Sequence, residues 1–452
     1  MPTTLIDHHH ALLTARTSST DLTEAALARA LDPTGEGPRV FTKVYAEQAR
    51  AAARASDTLR AAGLSRSPID GVPLSIKDLF DVAGETTMGG SVARRDEPVA
   101  TAHAAVVQRL MAAGAVIVGR TNMTEFAYSG LGINPHHGTP RNPWDRDTGR
   151  IPGGSSAGAA VSVADGMAAG AIGSDTGGSV RIPAALCGLT GFKPTASRVS
   201  MAGVLPLSSS LDSIGAIAHT VQDCVTLDAI LAGDTAPAPK TATLQGLRLA
   251  VPTTLVFDQA DVHVTGSVAA AIARLTEAGA RVEEIAIPEF DALGGLNAKG
   301  GLIAAEAWAW HHALIARAGD RYDPRVVSRI RRGMAMTAAD YIELLEARRA
   351  WIAAVETRIA GFDALLMPTV PLIAPRIDDV SASDDVYFAT NALMLRNPTL
   401  INFLDGCALS VPCHASGTAP VGLMIAGAGG QDRRILSIGL AVEQTLAAST
   451  GR

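Results

Sequence analysis

The stretch from Gly149 to Thr195 constrains this chain more than any other. It reads GRIPGGSSAGAAVSVADGMAAGAIGSDTGGSVRIPAALCGLTGFKPT. Two small serine clusters flanked by glycine stand in it, Gly153-Gly154-Ser155-Ser156 and Thr176-Gly177-Gly178-Ser179. Glycine permits backbone shapes that a Cβ forbids and lets a ligand come close to the main chain. A serine beside such a backbone can act as a nucleophile whose developing oxyanion is held by neighbouring N–H groups. The run between the clusters is rich in Ala, Gly and Val and carries almost no charge. It reads as a buried helix followed by a buried strand. Such a frame would hold both clusters rigidly, as a site of defined geometry needs.

The rest of the composition bounds the answer. The chain has 452 residues, 47% of them hydrophobic and 18% charged, so a large core is within reach and global disorder is excluded. Aromatics are only 4% against 44 glycines, which favours close packing of small residues over an aromatic-rich binding face. A formal net charge of −6 argues against a broad nucleic-acid surface. Cys187, Cys224, Cys407 and Cys413 are scattered without a C-x-x-C pair, which suits reduced thiols in a cytoplasmic protein. The first residues, MPTTLIDHHHALLTARTS, lack the apolar region of a secretory signal, and no uncharged run reaches membrane-spanning length. Neighbouring His8, His9 and His10 do not by themselves close a metal site, and no metal is expected.

Read in order, Asp21 and Glu24 resemble a capping box opening a helix to about Leu31. Residues 33–38 form a turn-rich break. A second amphipathic helix covers about Ala46 to Ala62 and stops at Gly63. Val72 to Ile76 reads as a strand ending at Lys77-Asp78. A lysine that closes an apolar strand loses solvation. Its pKa falls, and the neutral amine can then serve as a general base. A helix near His103 to Ala113 and a buried strand at Ala115 to Gly119 follow. Asn134 to Arg150 is a loop. Beyond a surface connection at Gly233 to Thr243, the chain alternates strand, helix and strand, and Gly301 to Gly361 is mainly helical. A strand at Leu365 to Pro368 and a closing helix from Gln431 continue this α/β pattern, and the runs Asn402 to Pro412 and Pro420 to Ile425 lie between them.

Two other serine or glycine readings fail on context. Gly154-Ser155-Ser156-Ala157-Gly158 satisfies G-x-S-x-G with Ser156 as nucleophile, but that elbow requires a preceding strand, and residues 147–153 read as a loop. Neither G-x-x-x-x-G-K-[ST] nor G-x-G-x-x-G occurs here. His136 and His137 lie in the 134–150 loop, and a Ser-His-Asp hydrolase would want one of them.

The opening stretch resembles the core of the amidase signature family. The likeness is carried by Gly153 to Gly158, by Gly173-Ser174-Asp175-Thr176-Gly177-Gly178-Ser179-Val180-Arg181-Ile182-Pro183, by Cys187-Gly188 and by Gly191 to Thr195. Gly71-Val72-Pro73-Leu74-Ser75-Ile76-Lys77-Asp78 is similar to the family's lysine motif, and the likeness is patchier beyond about residue 220. The resemblance implies one amidase domain over residues 1–452, with an N-terminal helical part (1–65), a catalytic core (66–220) and a variable, substrate-shaping and sheet-completing part (221–452). Its fold would be a mixed central β-sheet sandwiched between helices.

The resemblance also implies that Ser179 is the nucleophile, Ser155 a relay serine following a cis peptide bond, and Lys77 the base. The separation of the two serines, 24 positions, is the family's. Backbone N–H groups of Thr176, Gly177 and Gly178 would hold the oxyanion. Met123, Phe126, Tyr128 and Gly154 are candidate substrate contacts. Asp175 and Arg181 flank the loop and would either pair to brace it, the preferred reading, or leave Arg181 to meet an anionic substrate. Ala157 stands where many members have glycine, and Met424 where P-x-G-x-Q has glutamine. Trp308, Trp310, His311, Arg332, Tyr341, Arg396, Asn402 and Asp405 are further residues to place. The implied activity is hydrolysis of a small-molecule carboxylic amide with no cofactor, no nucleic acid and no membrane, and a homodimer stays open. The alternative is the amide-cleaving subunit of a tRNA-dependent amidotransferase.

Overall fold

The computed structural model describes residues 3–448. A single eleven-stranded sheet runs through them. Its strands are β1 (Phe41–Val44), β2 (Pro73–Lys77), β3 (Val116–Thr121), β4 (Gly170–Asp175), β5 (Thr190–Lys193), β6 (Ser213–Ala218), β7 (Arg248–Pro252), β8 (Arg281–Ile285), β9 (Ala364–Pro368), β10 (Cys407–Pro412) and β11 (Gly422–Gly427). Their order is β1-β3-β2-β4-β6-β5-β10-β11-β9-β7-β8. The sheet is mixed. β2 runs parallel to β3 and β4, and β7 parallel to β8 and β9, while the pairings from β4 through β6, β5, β10 and β11 to β9 are antiparallel.

Both faces of the sheet are covered. Successive strand residues point to opposite sides. On β11, Leu423 and Ile425 join the largest apolar cluster, and Met424 and Ala426 join a second one. On β4, Ile172 belongs to the first cluster and Ala171 to a third. Near-continuous apolar strands of this kind are what burial from both sides demands.

The helices that shape the site are α1 (Ala157–Ala164), α2 (Arg181–Leu186), α3 (Gly301–Ala318), α4 (Pro324–Arg331), α5 (Ala338–Ile359) and α6 (Asp384–Phe403). The expected buried helix and strand between the serine clusters are α1 and β4. All but the last residue of α1 are buried. The absence of a Cβ at Gly173 is needed there, because one would lie 2.7 Å from the Ser156 hydroxyl.

Some local expectations shift. The N-terminal capping box is made by Ser18 with Asp21, so that helix starts at Ser19, ahead of Asp21. Residues 33–38 are not all turn, since a short helix, Gly37–Val40, begins inside them and β1 follows at the sheet edge. Four residues with one intervening lysine carry too little alternation to announce a strand.

Candidate active site

β2 and β4 are parallel neighbours, so their C-terminal ends lie together. Lys77 ends β2 and is completely buried. Its Nζ donates to Ser155 Oγ at 2.7 Å and to Ser174 Oγ at 2.8 Å. Burial pushes the Lys77 pKa down to about 7, although the negative Asp175 and Asp212 nearby pull it upward.

The two serine clusters are joined through the main chain. Ser156 N–H donates to the Ser179 carbonyl at 3.2 Å, and Thr124 N–H donates to the Ser155 carbonyl at 3.1 Å. Gly154 N–H donates to the Gly130 carbonyl at 2.8 Å, and the Gly154–Ser155 peptide bond is cis, as the resemblance implied. Ser179 is 2% exposed.

The turn from β4 to Ser179 wraps around Asp175. That carboxylate accepts from the N–H groups of Gly178 at 2.8 Å and Val180 at 3.1 Å. Arg181 clamps it with Nη2 at 2.9 Å and Nε at 3.1 Å, and both side chains are fully buried. Burial alone would raise the Asp175 pKa. Arg181 outweighs that and holds the carboxyl well below the usual range. Asn402 on α6 donates to Asp175 Oδ1 at 2.9 Å and accepts from Arg181 at 2.6 Å. The remaining Arg181 nitrogen points at Met424 Sδ, 3.2 Å away. Gly178 has φ +119°, and a Cβ there would lie 2.5 Å from Pro398 Cβ on α6. Only glycine fits that turn under α6.

Asp212 supports the same turn from the other side. Its Oδ1 accepts from the Thr176 hydroxyl, and its Oδ2 accepts from Leu207 N–H at 2.9 Å and Ser208 N–H at 3.0 Å. Burial raises its pKa to about 6 against those donors. Lys193 is buried too. It donates to the carbonyls of Pro194 at 2.6 Å and Gly406 at 2.7 Å, so it ties β5 to the turn before β10.

Met123, Phe126 and Tyr128 are all buried in the segment that packs on Gly154. Phe126 belongs to an aromatic group, its centroid 4.4 Å from His311 and 5.0 Å from Tyr322. The Arg329 guanidinium of α4 lies 4.2 Å over the Tyr128 ring. His136 pairs with Glu125 at 2.8 Å. Arg396 donates to the Val256 carbonyl at 3.0 Å, and Asp405 accepts from Ala196 N–H at 3.2 Å. Trp308, Trp310 and Tyr341 line a cleft of about 600 Å³ beside Leu207 and Ser209. Among the described residues, no group of three or more His, Cys, Asp or Glu could hold a metal.

Three residues at this site escaped the sequence reading. Ser174 stands inside the motif but alternates with its neighbours like any strand residue. Glu306 and Arg348 lie in the helical region that carries no motif. Glu306 holds Ser208 and Arg348 holds the Ser210 and Asn402 carbonyls, and only the folded chain brings those loops to the helices.

A buried amine beside a serine hydroxyl, next to a glycine turn held on a mixed sheet, fits an amide-hydrolysing class of enzyme, and the comparisons support that class. The amidase family model matches residues 21–436. The 2-amino-5-chloromuconic acid deaminase of Comamonas testosteroni is 38% identical over 88% of this chain and 86% of its own length. A glutamyl-tRNA(Gln) amidotransferase subunit of Roseiflexus sp. (strain RS-1) is 34% identical over 98% of this chain and 96% of its own. A crystal structure of an amidase superposes with a TM-score of 0.87 at 32% identity, covering 98% of this chain and 99% of the other. The chain belongs to the amidase family and has the amidase signature fold. Among the described residues no helix is long and apolar enough to cross a membrane.

Proposed function

We propose that the protein hydrolyses a small carboxylic amide through Ser179, Ser155 and Lys77 by way of an acyl-enzyme. The observation that carries this reading is the fully buried Lys77 Nζ, 2.7 Å from Ser155 Oγ. Neutral Lys77 takes the Ser155 proton, and Ser155 takes the proton of Ser179. Ser179 Oγ bonds to the amide carbon. The oxyanion rests on N–H groups of the 176–178 turn. Asp175 engages the one on Gly178, so Thr176 and Gly177 are the donors and Gly178 shapes the turn. The relay returns the proton to the nitrogen as the C–N bond breaks, because an amide anion is too basic to leave. Water then attacks the ester carbon and gives its proton along the same route to Lys77; the C–O bond to Ser179 breaks, Ser179 Oγ takes the proton back through Ser155, and the acid departs. No cofactor enters these steps.

Met123, Phe126, Tyr128 and Gly154 are the substrate contacts in this reading. The similarity to a deaminase of an amino-substituted muconic acid favours a small, functionalised acid derivative as substrate. A second reading rests on the likeness to glutamyl-tRNA(Gln) amidotransferase subunits, in which the chain cleaves glutamine for a partner. The test is release of ammonia or amine from a panel of aliphatic, aryl, peptide, urea-derived and dicarboxylic amides, with Ser179→Ala as control. Turnover lost in Ser179→Ala supports the first reading. Activity confined to glutamine, with other chains co-purifying, would replace it by the second.

A further inference from the structure

The 207–212 loop stands between the proposed oxyanion turn and the helical region. On its inner side, Asp212 joins the Thr176 hydroxyl to the Leu207 and Ser208 N–H groups. On its outer side lies one carboxylate. Glu306 Oε2 accepts from Ser208 Oγ at 2.6 Å, from Ser210 N–H at 3.0 Å and from Ser209 Oγ at 3.4 Å. Its Oε1 accepts from Ser210 Oγ and from Tyr341 OH, the latter at 2.7 Å. Glu306 interrupts an otherwise apolar run of α3, Leu302 to Trp310. One side chain therefore gathers all three serines of the loop and a tyrosine from α5.

We propose that Glu306 is a positioning residue for the oxyanion turn, acting through Ser208 and Asp212 on Thr176. The proposal rests on Ser179 being the nucleophile. Thr176 lies three residues before Ser179, and its N–H is one of the two donors assigned above. The path has three polar links, from Glu306 to Ser208, from Ser208 N–H to Asp212, and from Asp212 to the Thr176 hydroxyl. Freed from Glu306, the serine end of the loop loses its tie to α3 and keeps contact with α5, where Arg348 donates to the Ser210 carbonyl at 3.1 Å. An oxyanion donor displaced by a fraction of an ångström stabilises the transition state less, while ground-state binding changes little.

The test uses Glu306→Ala, Glu306→Gln, Ser208→Ala and the Glu306→Ala/Ser208→Ala double variant in the full chain. Turnover is expressed per active site titrated with a fluorophosphonate, so that unfolded protein does not count. Glu306→Ala should lower kcat about 10- to 100-fold with KM within about twofold. Ser208→Ala should lower kcat in the same direction. The double variant should be no worse than Glu306→Ala, because both remove one link. Glu306→Gln, which still accepts from Ser208 and Ser210, should return to within about threefold of the unchanged enzyme. An unchanged kcat in Ser208→Ala, a rise in KM alone, or additive losses would each overturn the proposal. If Glu306→Ala does not fold, Ser208→Ala and Glu306→Gln decide it. A wild-type chain that neither turns over an amide nor takes up the fluorophosphonate sinks the amidase reading itself. Equal labelling rates in wild type and Glu306→Ala sink only the role of Glu306.

Discussion

Lys77 carries a contradiction that its surroundings resolve. A lysine is among the residues least often buried, yet here every atom is enclosed and two serine hydroxyls accept hydrogen bonds from it. Desolvation lowers its pKa to about 7, so near neutrality a large share of the amine is free to accept a proton. The base must be neutral, so kcat/KM should rise with pH through about 7 and level off above it. A profile flat from pH 5 to 9 would contradict the assignment. The negative charge of Asp212 raises the Lys77 pKa, so Asp212→Asn should move this limb to lower pH. Lys77→Met should cost several orders of magnitude in kcat, as loss of one member of a concerted set does. The same shift has a stability signature. Above about pH 7 the folded chain has lost a proton that the unfolded chain keeps until about 10.5. The wild type should therefore lose stability relative to Lys77→Met as pH falls through this window and gain it as pH rises, at up to about 1.4 kcal/mol per pH unit. Parallel urea curves at pH 7, 8 and 9 measure it, and a constant difference would show that Lys77 keeps its ordinary pKa.

At the scale of elements, the turn between β4 and α2 is held by an ion pair inside the protein. Asp175 ends the strand and Arg181 opens the helix, so one pair fixes how the two meet. The sequence made this bracing legible because the two residues flank the glycine turn six positions apart. It did not show Asn402, which arrives from α6 and bonds both partners. Arg181→Met leaves a buried carboxylate without its cation and should destabilise the fold by about 3–5 kcal/mol. Asp175→Asn/Arg181→Met removes both charges and should recover part of that loss, read from urea midpoints at constant m value. If the double variant is less stable than Arg181→Met, the pair is not what holds the turn. Motif-rich elements were readable in this way from Lys77 to Thr195. Cap chemistry was readable as well, but the N-terminal box fell three residues early, because Asp21 can either open a helix or answer Ser18 from its first turn.

Over the whole molecule, the sheet does not respect the boundary at which the family likeness thins. β5 precedes residue 220 and β10 lies far beyond it, yet they pair directly, with Leu409 opposite Phe192 and Ser410 opposite Gly191. Local periodicity announced most of the strands. Their order depends on long-range pairing, which no window of sequence contains, and here it came only through resemblance. The later part also reaches the turn at Asp175 through Asn402, and the 207–212 loop through Glu306 and Arg348. The chain segment joining the two parts, residues 235–238, is exposed throughout. A protease site placed there should therefore cut the backbone without separating the halves. The nicked protein should elute from gel filtration as one species, keep most of its amide turnover, and lose it together with Ser179→Ala. The reason is physical. Parting the halves would strip β5 and β10 of their ladder, expose Phe192 and Leu409 to water, and leave the buried charges of Asp175 and Arg181 without Asn402. Two species on the column, or loss of activity on nicking alone, would mean that the covalent connection, rather than the shared sheet, keeps the site assembled.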